Sequence, residues 1–133
     1  MIYVDTSVVL AELLAEDCRP DDAFWRQTLV SSRLLEYEVW TRVHARKLAR
    51  SHGEAARALV GRVALLELVS PVLARALEPF PAPVRMLDAL HLASAEFLRE
   101  RQAAIRLATY DRRQATVARA MGIALYDLEV DGR

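Results

Sequence analysis

Ile2-Tyr3-Val4-Asp5-Thr6-Ser7 is the stretch that decides how this chain reads. Three β-prone residues run into an acid and two hydroxyls. A helical pattern of apolar residues, Val8, Val9, Leu10, Leu13 and Leu14, begins at once. With so little chain ahead of it, the strand is expected at the centre of a sheet. An acid at the carboxyl end of a strand, where a helix opens, stands where open α/β sheets place their ligands.

Working outward, further strands are expected at 29–31, 67–69, 105–109 and 124–126. Between them the apolar spacing predicts helices at 6–15, through Phe24 and Trp25, and at 34–49, 51–66, 71–78, 86–99 and 111–122. Ser31 or Ser32 is expected to cap the helix from 34. Ser51-His52-Gly53-Glu54 and Asp111-Arg112-Arg113-Gln114 have capping-box spacing. Ser70-Pro71 reads as a cap followed by proline at the first helical position. Pro79, Pro81 and Pro83 mark a turn, and Glu129 to Arg133 is expected to fray. Strands alternating with helices predict an α/β fold: a central, mostly parallel sheet of about five strands, flanked by helices on both faces. At 133 residues the expectation is a single domain over 1–133.

The hydrophobic content of 53% suits a packed core. The lone Cys18 cannot form an internal disulfide, so a reducing cytoplasm is expected. No apolar run approaches the roughly 18–20 residues of a membrane span, and no secretory leader is recognisable. Eighteen bases balance eighteen acids, so net charge argues neither for nor against a nucleic-acid partner. All bases but Lys47 are arginine, the better fork for phosphate.

Four acids stand in awkward places. At about 100° per residue, Leu34, Leu35, Ala45 and Ala49 lie within about 60° of Glu38 on their helix, while Glu36 is about 160° away. Glu38 therefore points inward and Glu36 outward, unless Glu38 pairs with Arg42 one turn on. The 86–99 helix is apolar almost all round, and Asp88 interrupts it with His91 three residues on. Cap, helix-dipole partner, or an Asp88–His91 pair are the structural alternatives; for His91 it is a hydrogen-bonded core histidine. Asp5 and Asp111 each follow a strand and open a helix. Thr6 or Ser7 could cap in place of Asp5, leaving its carboxylate free. If the first and fourth strands are parallel, all four acids reach one crevice.

Four carboxylates sharing a crevice repel one another and raise each other's pKa. A hard divalent cation resolves this. Oxygen-only donors point to Mg²⁺ or Mn²⁺ rather than Zn²⁺, held by Asp5, Glu38, Asp88 and Asp111 directly or through water. Thr6, Ser7 and Thr109 are candidates to orient carboxylates or a phosphate. Arg112 and Arg113 stand at a helix start, where they could meet an anionic backbone. Trp40, Tyr37, Phe24 and Trp25 are candidates for a partner-facing apolar patch, with core packing as the alternative.

Tyr3-Val4-Asp5-Thr6-Ser7, Glu38-Val39, Leu87-Asp88-Ala89-Leu90-His91-Leu92-Ala93-Ser94-Ala95 and Thr109-Tyr110-Asp111 occur in that order. Together they resemble the PIN domain, and within it the VapC-type toxins of bacterial toxin–antitoxin pairs. The resemblance runs over nearly the whole chain and implies a PIN-like fold. It implies that the four acids form the metal site of an endoribonuclease, supported by hydroxyls at the Ser7 and Thr109 positions. The implied reaction is hydrolysis of an RNA phosphodiester with one or two metal ions, leaving a 5′-phosphate and a 3′-hydroxyl. A small antitoxin as inhibitor, a toxin homodimer and a higher toxin–antitoxin complex are implied as partners. The competing reading is a non-catalytic PIN-like module whose acids are caps and salt bridges. A phosphoaspartyl enzyme fits less well, because Lys47, the one lysine, falls late in a long helix. The four glycines make no phosphate-cradling loop.

Overall fold

The structure, a computed structural model, describes residues 1–101 and 104–128. Its elements in chain order are β1 (Ile2–Val4), α1 (Thr6–Leu13), α2 (Asp22–Trp25), β2 (Leu29–Ser32), α3 (Leu34–Ala45) and α4 (Ala49–Val60). Then come β3 (Ala64–Leu66), α5 (Ser70–Ala76), α6 (Met86–Arg99), β4 (Arg106–Ala108), α7 (Arg112–Ala120) and β5 (Ala124–Leu125). The five strands pair in the order β3-β2-β1-β4-β5, every pair parallel. The opening strand is central, as expected, with Tyr3 opposite Val30 on one side and Leu107 on the other.

Strand alternation sorts the core. Ile2 and Val4 face a cluster built with Val8 and Val9 of α1, Leu35, Val39 and Val43 of α3, and Ala56 and Val60 of α4. Tyr3 faces the other way, into a cluster with Leu92 and Ala95 of α6 and Val117 and Ala118 of α7. Helices thus cover both faces, the α/β architecture that alternating strands and helices predict.

Several boundaries differ from the sequence expectation. The third strand is Ala64–Leu66, not 67–69: α4 stops at Val60, and Ala64, Leu65 and Leu66 pair with Val30, Ser31 and Ser32. The near-continuous apolar run from Leu59 to Leu66 hides that switch from helix to strand. The helix expected over 34–49 is broken after Ala45. Lys47 turns back at φ 58°, and Lys47 and Leu48 donate to the carbonyls of His44 and Val43, a Schellman close without glycine. Ala15 closes α1 in the same way at φ 52°, while Gly122 closes α7. Because α4 already starts at Ala49, Ser51 is no cap; its hydroxyl donates back to Leu48 O. Val69, not Ser70, is the N-cap of α5. Neither Ser31 nor Ser32 is the N-cap of α3, which is Arg33, although Ser32 Oγ accepts from Leu34 N–H at 3.1 Å. The expected frayed tail, 129–133, lies outside the described residues.

The aromatic patch does not form. Phe24 is fully buried, Trp25 and Trp40 pack partly against the first cluster, and only Tyr37 is well exposed. Other exposed apolar residues cluster elsewhere: Leu73 on α5, Leu77 just past its end, and Met86 and Leu87 on α6. Leu73, Leu77 and Met86 line a cleft of about 850 Å³ together with Phe80 and the proline turn.

Candidate active site

Because β1 and β4 are neighbours and parallel, Asp5 and the Thr109–Asp111 segment emerge at one edge of the sheet. Asp5 N–H donates to Ala108 O at 2.9 Å, pinning the end of β1 to the end of β4. The Asp5 carboxylate is not left free by another cap. Asp5 is itself the N-cap of α1: its Oδ2 accepts from Ser7 N–H at 3.2 Å and from Thr109 Oγ1 at 3.0 Å. The local reason is an extended Asp5 backbone, which turns its side chain over the first amides of the helix. Ser7 and Thr109 bind the two strand ends further. Tyr110 N–H donates to Ser7 Oγ at 3.0 Å, and Asp111 N–H to Thr109 Oγ1 at 3.0 Å.

Glu38 points inward, as its place on the helix predicts, but its partner is not Arg42. Its Oε1 accepts from Thr6 Oγ1 at 2.6 Å and lies 2.6 Å from His91 Nε2. The other ring nitrogen of His91, Nδ1, is 2.8 Å from Tyr3 Oη, which accepts from Ser32 N–H at 3.1 Å. One buried imidazole thus joins β1, α1, α3, α6 and the end of β2; it is 1% exposed. Burial disfavours charge on both partners, but the contact between them outweighs it. The Glu38 carboxyl is held below its ordinary pKa by the His91 hydrogen bond, the His91 charge and Thr6. His91 is raised above its own by the Glu38 bond and the charges of Asp5, Glu38 and Asp88. Burial pushes the Tyr3 hydroxyl far up, so it stays protonated.

Asp88 and Asp111 form a different neighbourhood. Asp88 sits in the first turn of α6, with the exposed Arg85 at 3.6 Å. Its pKa is raised by burial first, then by the negative charges of Asp111 and Asp5, with Arg85 and His91 opposing. Asp111 is the N-cap of α7, as its spacing predicts: Oδ1 accepts from Arg113 N–H at 3.0 Å and Gln114 N–H at 3.2 Å. Gln114 does not complete the capping box. Its Oε1 is drawn to Thr109 Oγ1 at 3.2 Å, and its buried Nε2 has no hydrogen-bond partner among the described residues. Asp88, Asp111, Arg113 and Gln114 line a narrow cleft with about 20 Å³ of room, enough for one water.

The structure therefore brings Asp88 within electrostatic reach of both Asp5 and Asp111. Glu38 is linked to that group through Thr6 and His91. Among the described residues, no three acids or histidines stand close enough to grip one ion as they are. Thr6 orients Glu38, and Thr109 orients Asp5. Arg112 and Arg113 are exposed at the start of α7, and only Arg113 borders the Asp88–Asp111 cleft. His91 is indeed a hydrogen-bonded core histidine, yet it belongs to the site through Glu38. The pattern signal for it was its position three residues after Asp88. Gln114 was hidden inside an ordinary capping motif.

Two sequence comparisons place the chain in a family. The PIN domain family matches residues 2–120, which holds every side chain described above. "Ribonuclease VapC47" of Mycobacterium tuberculosis (strain CDC 1551 / Oshkosh) is 33% identical over 129 residues, covering 92% of this chain and 93% of that protein. This chain belongs to the PIN-domain family.

Proposed function

We propose that this chain is a Mg²⁺- or Mn²⁺-dependent endoribonuclease, the toxin of a toxin–antitoxin pair, working in a reducing cytoplasm as one PIN-like domain over 1–133. The observation that carries this is the charge repulsion at Asp88: a half-buried carboxyl, raised first by burial and then by Asp111 and Asp5, at the edge where β1 and β4 end. A cation between these groups would relieve that repulsion. All the donors are carboxylate oxygens, the set that hard divalent cations take. The donor chemistry therefore fits the ion, although the acids would have to draw together to grip it. Asp5, Asp88 and Asp111 would hold it, with Glu38 beside them directly or through water. When bound, such an ion lowers the pKa of a coordinated water and offsets charge developing on a phosphate.

The chain's own groups do the rest. Thr6 and His91 occupy Oε1 of Glu38 and so set which way the carboxylate faces. Thr109 and Ser7 N–H hold one oxygen of Asp5. Arg112 and Arg113 stand where an RNA phosphate would approach the α7 start. The printed name of the 33% identical relative supports RNA as substrate. A second copy and a small antitoxin belong to the same reading. The exposed Leu77 and Met86 beside the α5–α6 cleft support a protein partner on that face.

One observation favours the non-catalytic alternative: each acid also has a structural partner. Asp5 and Asp111 cap helices, Glu38 meets His91, and Asp88 lies near Arg85. Incubating the purified protein with total RNA and mapping the new ends separates the two readings. Cleavage that needs Mg²⁺ or Mn²⁺ and falls about a hundredfold or more in Asp5→Asn is expected, since such an ion supplies several kcal/mol. RNA left intact with either metal, by a protein that melts cooperatively, would favour the binding module.

A further inference from the structure

Net charge is zero, yet the charges are not spread evenly. Residues 42–63 hold six cations, Arg42, Arg46, Lys47, Arg50, Arg57 and Arg62, against one acid, Glu54. Residues 1–41 hold eight acids against three bases, and 64–133 hold nine of each. Folding gathers the basic block into the α3–α4 hairpin, where all six cations are exposed. Arg57 and Arg62 rest over the rings of Trp40 and Trp25. Arg42, Arg46, Lys47 and Arg50, at the tip, make no ion pair with a described residue.

The tip is tied to the candidate site by α3 itself. Arg42 is one turn beyond Glu38 on nearly the same face, and Arg46 two turns beyond, about 6 and 12 Å along the axis. Glu38 takes its hydrogen bonds from Thr6 and His91, which leaves the Arg42 guanidinium unclaimed. At the turn stands Lys47 at φ 58°, a left-handed conformation that glycine adopts more easily. The chain's one lysine thus sets its ammonium at the apex.

We propose that the tip of the α3–α4 hairpin is a docking surface for the sugar–phosphate backbone of the RNA substrate, outside the bond that is cut. This rests on the ribonuclease reading above. Guanidinium and ammonium groups on two short helices suit a flexible polyanion, and such contacts position the strand without reading its bases. An acidic protein segment would carry the same charge. A stable protein interface, however, also needs apolar or aromatic anchors. No large apolar side chain between 42 and 63 is exposed.

The test measures binding of a labelled single-stranded RNA in EDTA, by fluorescence anisotropy over a range of salt. Binding of wild type should weaken linearly in a log–log plot. Replacing the four tip cations together (Arg42→Gln, Arg46→Gln, Lys47→Gln, Arg50→Gln) should flatten that slope by about 3, since each single-strand phosphate contact contributes about 0.7. Lys47→Gly separates charge from folding: the melting temperature should rise as the turn relaxes, while the slope falls by about 0.7. Unchanged affinity and slope in the fourfold variant, with intact melting, would overturn the proposal. So would loss of binding to a poly-glutamate peptide with RNA binding untouched, which assigns the tip to an acidic protein segment. If wild type fails to bind RNA even at low salt, the ribonuclease reading fails first and takes this inference with it.

Discussion

Two halves of the candidate site, a few residues apart, are built on opposite principles. Around His91 every polar group is answered: Tyr3, Ser32, Thr6 and Glu38 close a buried network with contacts of 2.6 to 3.1 Å. Around Asp88 the groups are set against each other. Its carboxyl is raised by burial first and then by two neighbouring acids, and Gln114 Nε2 lies buried without a described partner. The first half is finished in the free protein and gives Glu38 a fixed orientation. The second is held in tension that a cation would release. Asp5 belongs to both, since its charge acts on His91 and Asp88 alike. On the metal-dependent reading proposed above, the preorganised half would orient Glu38 and the repulsive half would take the ion; on the binding-module reading, the same acids serve as caps and ion-pair partners.

The largest expected effect breaks the finished half. His91→Leu removes the partner of both Tyr3 Oη and Glu38, and should lower stability by about 2–4 kcal/mol in urea unfolding with EDTA present. Asp88→Asn, in the same assay, should leave stability unchanged or raise it, because it removes a repelled charge. Equal losses in the two variants would erase the distinction between the halves.

A smaller effect sharpens the comparison through pH. His91 is raised in the folded state, so its contribution is complete below its ordinary pKa of 6.5 and is lost as pH rises through the folded value. Glu38 is lowered, so its contribution is complete above its ordinary pKa of 4.5 and is lost as pH falls through the folded value. Between pH 4.5 and 6.5 both are present in full. Without metal, the melting-temperature gap between wild type and Glu38→Gln should be widest in that window and narrow above it. A gap independent of pH would mean that the charge on the pair is irrelevant. The smallest effect is at Glu36, whose exposed pair with Arg33 spans 3.2 Å. Glu36→Gln should change both stability and RNA cleavage little, within about 0.5 kcal/mol, while Glu38→Gln impairs cleavage clearly. Similar losses at both positions would count against the inward placement of Glu38.

Much of this was legible because it is local or periodic. The opening strand shows its centre-of-sheet character in Ile2-Tyr3-Val4, and Asp5 shows its place by ending it. Glu38 and Asp88 betray themselves by interrupting apolar faces, and Asp111 by its cap spacing. What escaped depends on contacts with no sequence period. The Glu38–His91 bond joins residues 53 apart. The break at Lys47 carries neither glycine nor proline, so the helical pattern runs straight through it. The third strand slid by three residues because the nearly continuous apolar run from Leu59 to Leu66 looks alike as helix or strand. The basic hairpin vanished in a whole-chain sum of zero.

If Asp5, Asp88 and Asp111 await a divalent cation, the most direct test needs no RNA. Melting of wild type and Asp88→Asn should be followed with and without millimolar Mn²⁺. Asp88→Asn leaves the hydrogen bonds of the His91 network in place and removes only the charge of Asp88. Wild type should melt at higher temperature with Mn²⁺, as a ligand of the folded state requires, and Asp88→Asn should not respond. No shift in wild type, or an equal shift in both proteins, would contradict a cation site at these three acids.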